Sequence, residues 1–216
     1  MDQKQNTSKR QITGSNVFLK ILFVLVILGL LSGAASLPFL YKSTSIWYKL
    51  GFDRVLLLSG QVVGMLAATL VFLQIFYISH LPFLERVFGS QRLIAMHKFS
   101  AAIIACLVLI HPMLVFAPDG ITKLSFEQKN WPEYVGAVLW IIIFTIFVTS
   151  RWRTSLKISF PSWRIFHRIT VVAALVLVSV HMLFVSDTFV AGIPRYAVFC
   201  VLAVNAGLWL RLRLRR

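Results

Sequence analysis

Six apolar runs divide the chain, at approximately residues 17–40, 54–79, 93–116, 133–150, 163–186 and 194–212. As helices rising about 1.5 Å per residue, all are long enough to cross the ~30 Å of hydrocarbon in a bilayer. Composition points the same way. Of the 216 residues, 58% are hydrophobic and 13% charged, where a soluble domain carries about a quarter charged residues. No water-soluble core buries that much apolar side chain, so the solvent is largely lipid. The fold expected is an all-α membrane protein, a six-transmembrane-helix bundle. The first run has basic residues upstream and Gly33-Ala34-Ala35 near its end, as a signal peptide would. Its apolar stretch is long for that role, and it is read as a membrane span.

The 22 Lys and Arg against 7 Asp and Glu gather in short clusters beside the apolar runs. That is the pattern of topology signals and anionic-lipid contacts, not of a nucleic-acid surface. With the amino terminus placed in the cytoplasm, sixteen basic residues fall inside and six outside (Lys42, Lys49, Arg54, Lys123, Lys129 and Arg195). A multi-pass cell-membrane protein with both termini cytoplasmic follows. Residues 1–16 read as a disordered cytoplasmic tail, 17–212 as the membrane domain and 213–216 as a basic cytoplasmic end. The longest loop, about residues 117–132, is external and mixes charge with Phe126 and Trp131, a composition suited to the interface. Cys106 and Cys200 read as small buried hydrophobes. No CxxCH or CxxC occurs, and no Gly-rich nucleotide fingerprint.

Histidine placement narrows the chemistry. Among five histidines, His97 and His111 are 14 residues apart, and so are His167 and His181. One pair lies on the third segment and the other on the fifth. Fourteen helical residues rise ~21 Å and turn ~1400°, about 40° short of four turns, so both histidines of a pair leave nearly the same face. The third and fifth segments run the same way. His97 thus shares a depth with His167, and His111 with His181. Facing imidazoles at one depth can hold a haem iron from both sides, and two such layers make two haems stacked between helices 3 and 5. Zinc or copper would call for Cys, Met or carboxylate, and a proton relay for Asp or Glu, which the spans almost lack. Two b-type haems are therefore the expected cofactors, with His97, His111, His167 and His181 as their iron ligands. Filled axial positions make such haems electron carriers rather than oxygen binders. Arg92, Lys98, Arg164 and Arg168 flank the inner pair, with Arg92 and Arg164 as partners for haem propionates. Pro112 follows His111 and removes a helix hydrogen bond to Val108. His80 has no mate at that spacing and reads as an interfacial polar residue.

Two stretches carry a resemblance. The first is Leu81-Pro82-Phe83-Leu84-Glu85-Arg86-Val87-Phe88-Gly89, leading to Arg92, His97 and His111. The second is Trp163-Arg164 with His167 and His181. Together they resemble the ferric reductase-like transmembrane domain, a superfamily of ferric-chelate reductases, NADPH oxidases and the haem-binding membrane subunit of a bacterial methionine sulfoxide reductase system. The resemblance implies electron flow from a cytoplasmic flavin through an inner haem (His97, His167) and an outer haem (His111, His181) to an external acceptor, with ferric iron one candidate. It assigns no acid–base catalytic residue to the chain. Ferric reductases and NADPH oxidases continue into a flavin and NADPH domain. This sequence stops at Arg216, so it is expected either to be a fragment of a longer flavoprotein or to take FAD or FMN only through a partner, a cytoplasmic flavin reductase. An alternative is a haem-binding membrane anchor that reduces an external partner enzyme. An alternative of another class is a non-redox transporter or scaffold with structural histidines.

Overall fold

Apart from Pro118, prolines fall at helix starts or as single interior residues, and nothing else in the apolar runs breaks a helix. In a computed structural model that describes residues 2–120 and 127–214, each run is one long helix, and no strand occurs among the described residues. The helices are α1 (Asp2–Leu40), α2 (Thr44–Trp47), α3 (Gly51–Ile78), α4 (Pro82–Phe88), α5 (Ser90–Phe116), α6 (Trp131–Arg151), α7 (Phe160–Val185) and α8 (Gly192–Leu214). Six are long and apolar enough to span a membrane: Val17–Leu40 within α1, then α3, α5, α6, α7 and α8. They match the six apolar runs to within a few residues, and the molecule is a multi-pass membrane protein. The helical backbone of α1 continues through the polar residues read as a tail. Phe126 and Lys123 of the external loop, and Arg215 and Arg216, lie outside the described residues.

The LPFLERVFG stretch forms a short helix of its own. Pro82 opens α4, where its missing N–H and fixed φ are helix-compatible. Gly89, at φ 77°, lets the chain turn between α4 and α5. Leu84 and Val87 are buried beneath α4 while Phe83 stays exposed, so the helix lies with one face on the bundle.

Packing falls into two hairpins. α3 packs most extensively on α5, and α6 on α7. α5 and α7, the two histidine-bearing helices, have almost no close backbone approach. The shared core lies between the histidine layers: Leu70, Phe72 and Leu73 of α3, Ile104 of α5, Leu139 and Ile143 of α6, Ala174 and Val178 of α7. Ile104 stands seven residues from both His97 and His111, and Ala174 seven from both His167 and His181. An apolar floor therefore divides the bundle at mid-depth.

One expectation about side chains fails. Cys106 and Cys200 are free and exposed, not buried. In water, an apolar residue on a helix faces the core. In a bilayer the outward face is equally apolar, so a small hydrophobe gains nothing by turning inward. The same logic explains the many exposed Val, Leu, Ile and Phe side chains of α1, α7 and α8.

Candidate functional site: two layers of paired histidines

Nearest the α1–α3 and α7–α8 linkers, His111 and His181 face each other. Their ring centroids are 6.4 Å apart and their planes cross at 85°. Both rings are anchored through the same nitrogen. His111 Nδ1 donates to the Gly60 carbonyl at 2.8 Å, and His181 Nδ1 donates to the Pro132 carbonyl at 2.9 Å. A carbonyl oxygen can only accept, so in each neutral ring the proton sits on Nδ1 and the free lone pair on Nε2. This is the tautomer a metal-ligating histidine holds when its other nitrogen is tied to an acceptor.

Glycines make this approach possible. A Cβ on Gly64 would lie 2.7 Å from His111 Cε1 and 2.8 Å from its Nδ1. A Cβ on Gly136 would lie 2.6 Å from His181 Cε1 and 2.8 Å from its Nδ1. Each imidazole thus lies over a glycine and bonds to the carbonyl four residues before it: Gly60 before Gly64, Pro132 before Gly136. The two hairpins build one arrangement twice.

The second layer lies ~21 Å away along the helices. His97 of α5 and His167 of α7 make up this layer. Here the supports include side chains. The Gln74 amide of α3 lies 2.5 Å from His97 Nδ1. Ser150 of α6 lies 3.4 Å from His167 Nδ1 and accepts from the Trp163 indole N–H at 3.3 Å. The Trp163 ring stacks on His167, with centroids 5.0 Å apart at 28°. In every case the α5 histidine is supported from α3 and the α7 histidine from α6.

The other expected residues lie apart from these pairs. Arg92 and Arg164 are exposed at the His97–His167 end, with the Arg164 guanidinium 5.7 Å from the Phe160 ring centroid. His80, in a left-handed turn at φ 49°, pairs through Nδ1 with Glu85 Oε1 at 2.6 Å. That carboxylate also accepts from Ser90 Oγ at 3.1 Å. The His111–His181 end is closed by polar loops. Thr44 bonds Asp187, Lys49 pairs with Asp119, and Thr188 Oγ1 donates to the Tyr41 carbonyl at 2.8 Å.

The residues present fit a haem. Two metal–imidazole bonds of ~2 Å, with half a ring beyond each, place the ring centroids about 6 Å apart, close to the 6.4 Å between His111 and His181. No three His, Cys, Asp or Glu side chains converge among the described residues. Each layer therefore offers a metal two imidazoles and no further His, Cys, Asp or Glu donor among the described residues. The backbones of α5 and α7 stay apart along this stretch.

The histidine pairs were legible from spacing, whereas Gly64, Gly136, Gln74 and Ser150 were not singled out. A signal existed for three of them. Glycine inside a membrane helix and glutamine in a lipid-spanning run both ask for a local reason. A family model described as ferric reductase like transmembrane component matches residues 63–178, more than half of the chain. The matched stretch includes Gly64, Gln74, His97, His111, Gly136, Ser150 and His167, and stops just short of His181. No curated protein matches the chain, and no solved structure does.

Proposed function

This chain belongs to the ferric reductase like transmembrane component family, and we propose that it is a di-haem b-type cytochrome. It moves electrons from a cytoplasmic flavin donor across the bilayer to an external acceptor, with ferric iron the acceptor the family description suggests. The observation that carries the reading is the pair of tautomer-locked imidazoles, His111 and His181, facing each other with free Nε2 atoms. When bound, haem supplies reversible one-electron chemistry in a medium where no side chain can. The chain's own residues do the rest. His97 with His167, and His111 with His181, hold the two irons. The helices fix the two layers ~21 Å apart, and the Ile104–Ala174 floor keeps water from the path between them. Arg92 and Arg164, on the side assigned to the cytoplasm, would pair with haem propionates.

Purification followed by visible spectroscopy tests this. The expected product has two low-spin b-type haems per chain. His111→Ala or His181→Ala removes one haem and leaves much of the other. His97→Ala or His167→Ala removes the other, and His80→Ala leaves both. A colourless protein from haem-replete cells would sink the reading.

A further inference from the structure

Few basic residues stand at the end of the bundle that the charge bias places outside, and two of them are engaged within the chain. The Lys49 ammonium pairs with Asp119, and Arg195 donates to the Val190 carbonyl at 2.7 Å. Lys42 and Arg54 are exposed, and neither pairs with a carboxylate among the described residues. Cations on the outer side work against the orientation that the rest of the chain sets. Two that are kept there unpaired ask for a partner from outside the chain.

They meet at one place. Lys42 follows α1, Arg54 lies in the first turn of α3, and between them Trp47 ends α2. All three line a single cavity of about 240 Å³. The linker that carries them is held from behind. Ser43, next to Lys42, is buried, and its hydroxyl accepts from the Gln61 amide at 3.0 Å. Thr44 bonds Asp187, and Ile46, beside Trp47, is buried. Gly51, at φ 54°, turns the chain into α3 three residues before Arg54. The neighbouring acids are directed elsewhere: Asp119 to Lys49, Asp187 to Thr44, and Asp53 about 100° around the helix from Arg54. Two cations and an indole are thus presented to one ligand without rearrangement.

The surroundings say which anion suits them. Trp47 is 74% exposed, Leu50 81% and Phe52 73%. Large apolar side chains left uncovered around one cavity mark a surface that something apolar covers. The head-group region of a bilayer takes an indole at its own level, with acyl chains beside it. Lys42 and Arg54 also stand at the ends of two membrane spans, Val17–Leu40 and Gly51–Ile78, which is the depth of lipid phosphates. A phosphodiester between an ammonium and a guanidinium gains charge-assisted hydrogen bonds. Two uncompensated positive charges favour a head group that carries no amine of its own.

We propose that Lys42, Trp47 and Arg54 form a binding site for the phosphate of an anionic phospholipid in the outer leaflet. The site uses none of the four paired histidines and stands whether or not they hold haem. Its effect is to fasten the α1–α3 linker. Arg54 lies six residues, or ~9 Å along the helix, from Gly60, whose carbonyl holds His111.

The test is lipid binding to the purified full chain in a non-ionic detergent, read by native mass spectrometry. Phosphatidylglycerol and phosphatidylcholine with the same acyl chains are titrated separately, and inorganic phosphate is added as a competitor. Wild type is expected to take up phosphatidylglycerol in a saturable step that phosphatidylcholine does not reproduce and inorganic phosphate does not displace. Lys42→Gln and Arg54→Gln are each expected to weaken that step about fivefold, and the double variant about 25-fold. The bound lipid should also raise the thermal midpoint of wild type and not that of the double variant. Equal phosphatidylglycerol binding by wild type and the double variant would overturn the proposal. Equal binding of phosphatidylcholine would overturn the call for an anionic lipid, and displacement by inorganic phosphate would give the site to a free anion instead. If the double variant does not fold, the single variants decide, and two unweakened binding curves overturn the site.

Discussion

Glycine inside a helix costs up to about 1 kcal/mol relative to alanine, so Gly64 and Gly136 ask for a compensating contact. They meet the rings of His111 and His181 where a Cβ would sit well inside van der Waals distance. Neither ring can retreat without giving up its carbonyl, because the clash and the hydrogen bond involve the same edge of the imidazole. Gly64→Ala and Gly136→Ala are therefore each expected to lower occupancy of the His111–His181 haem, by ~10-fold or more on the scale of lost ligand support. The other haem should persist. Gly33→Ala is the control, since its Cβ would meet nothing within 4 Å. Pyridine haemochrome counts against protein mass measure the effect, and full haem content in Gly64→Ala would refute the clash argument. At this scale the sequence disclosed the paired histidines but not their supports. Two equal spacings can be seen in one dimension. A carbonyl acceptor and a missing Cβ on a neighbouring helix are visible only once α3 lies against α5 and α6 against α7.

At the scale of elements, the long helices were legible because lipid demands length and apolarity and little else. The short ones were less so. α4 was read as a motif rather than a helix, since seven residues carry too weak a period to register. Helix starts carry a local signal that lipid does not erase. Ser159 caps α7, accepting from Ser162 N–H at 3.3 Å, and Pro161 sits in the first turn. That cap fixes where α7 begins, two turns before His167. Ser159→Ala should destabilise the bundle by about 1 kcal/mol, read as a lowered thermal midpoint in detergent, with both haems retained at room temperature. A change in haem content without loss of stability would show that the cap acts on the site and not on the helix. The misread cysteines belong here too. Burial of a small hydrophobe presumes an element with a wet side, and Cys106 and Cys200 face outward because these elements have none.

For the whole molecule, the two ends differ in charge. The His97–His167 end carries the compact turn after α6, where the Arg153 guanidinium donates to the Ile158 carbonyl at 3.2 Å. The Arg151 guanidinium lies 5.9 Å from the Trp152 ring centroid. Arg151, Arg153 and Lys157 offer an acidic flavoprotein a docking surface, or anionic lipid a contact. If they dock the donor, neutralising all three should slow haem reduction by an added flavoprotein, without loss of haem. A correctly folded, fully loaded variant reduced at the wild-type rate would remove the segment from that role. The bias of basic residues puts this end in the cytoplasm, and labelling can decide the matter directly. Ser155 is exposed in that turn, and Ser45 is exposed at the opposite end. The native Cys106 and Cys200 lie within membrane helices, where a charged maleimide does not reach, so wild type serves as the blank. In intact cells an impermeant maleimide should label Ser45→Cys and spare Ser155→Cys, with Ser155→Cys labelled only after permeabilisation. The reverse pattern would turn the molecule over. The Arg151–Lys157 turn would then face outward, and the donor would have to be sought at the His111–His181 end.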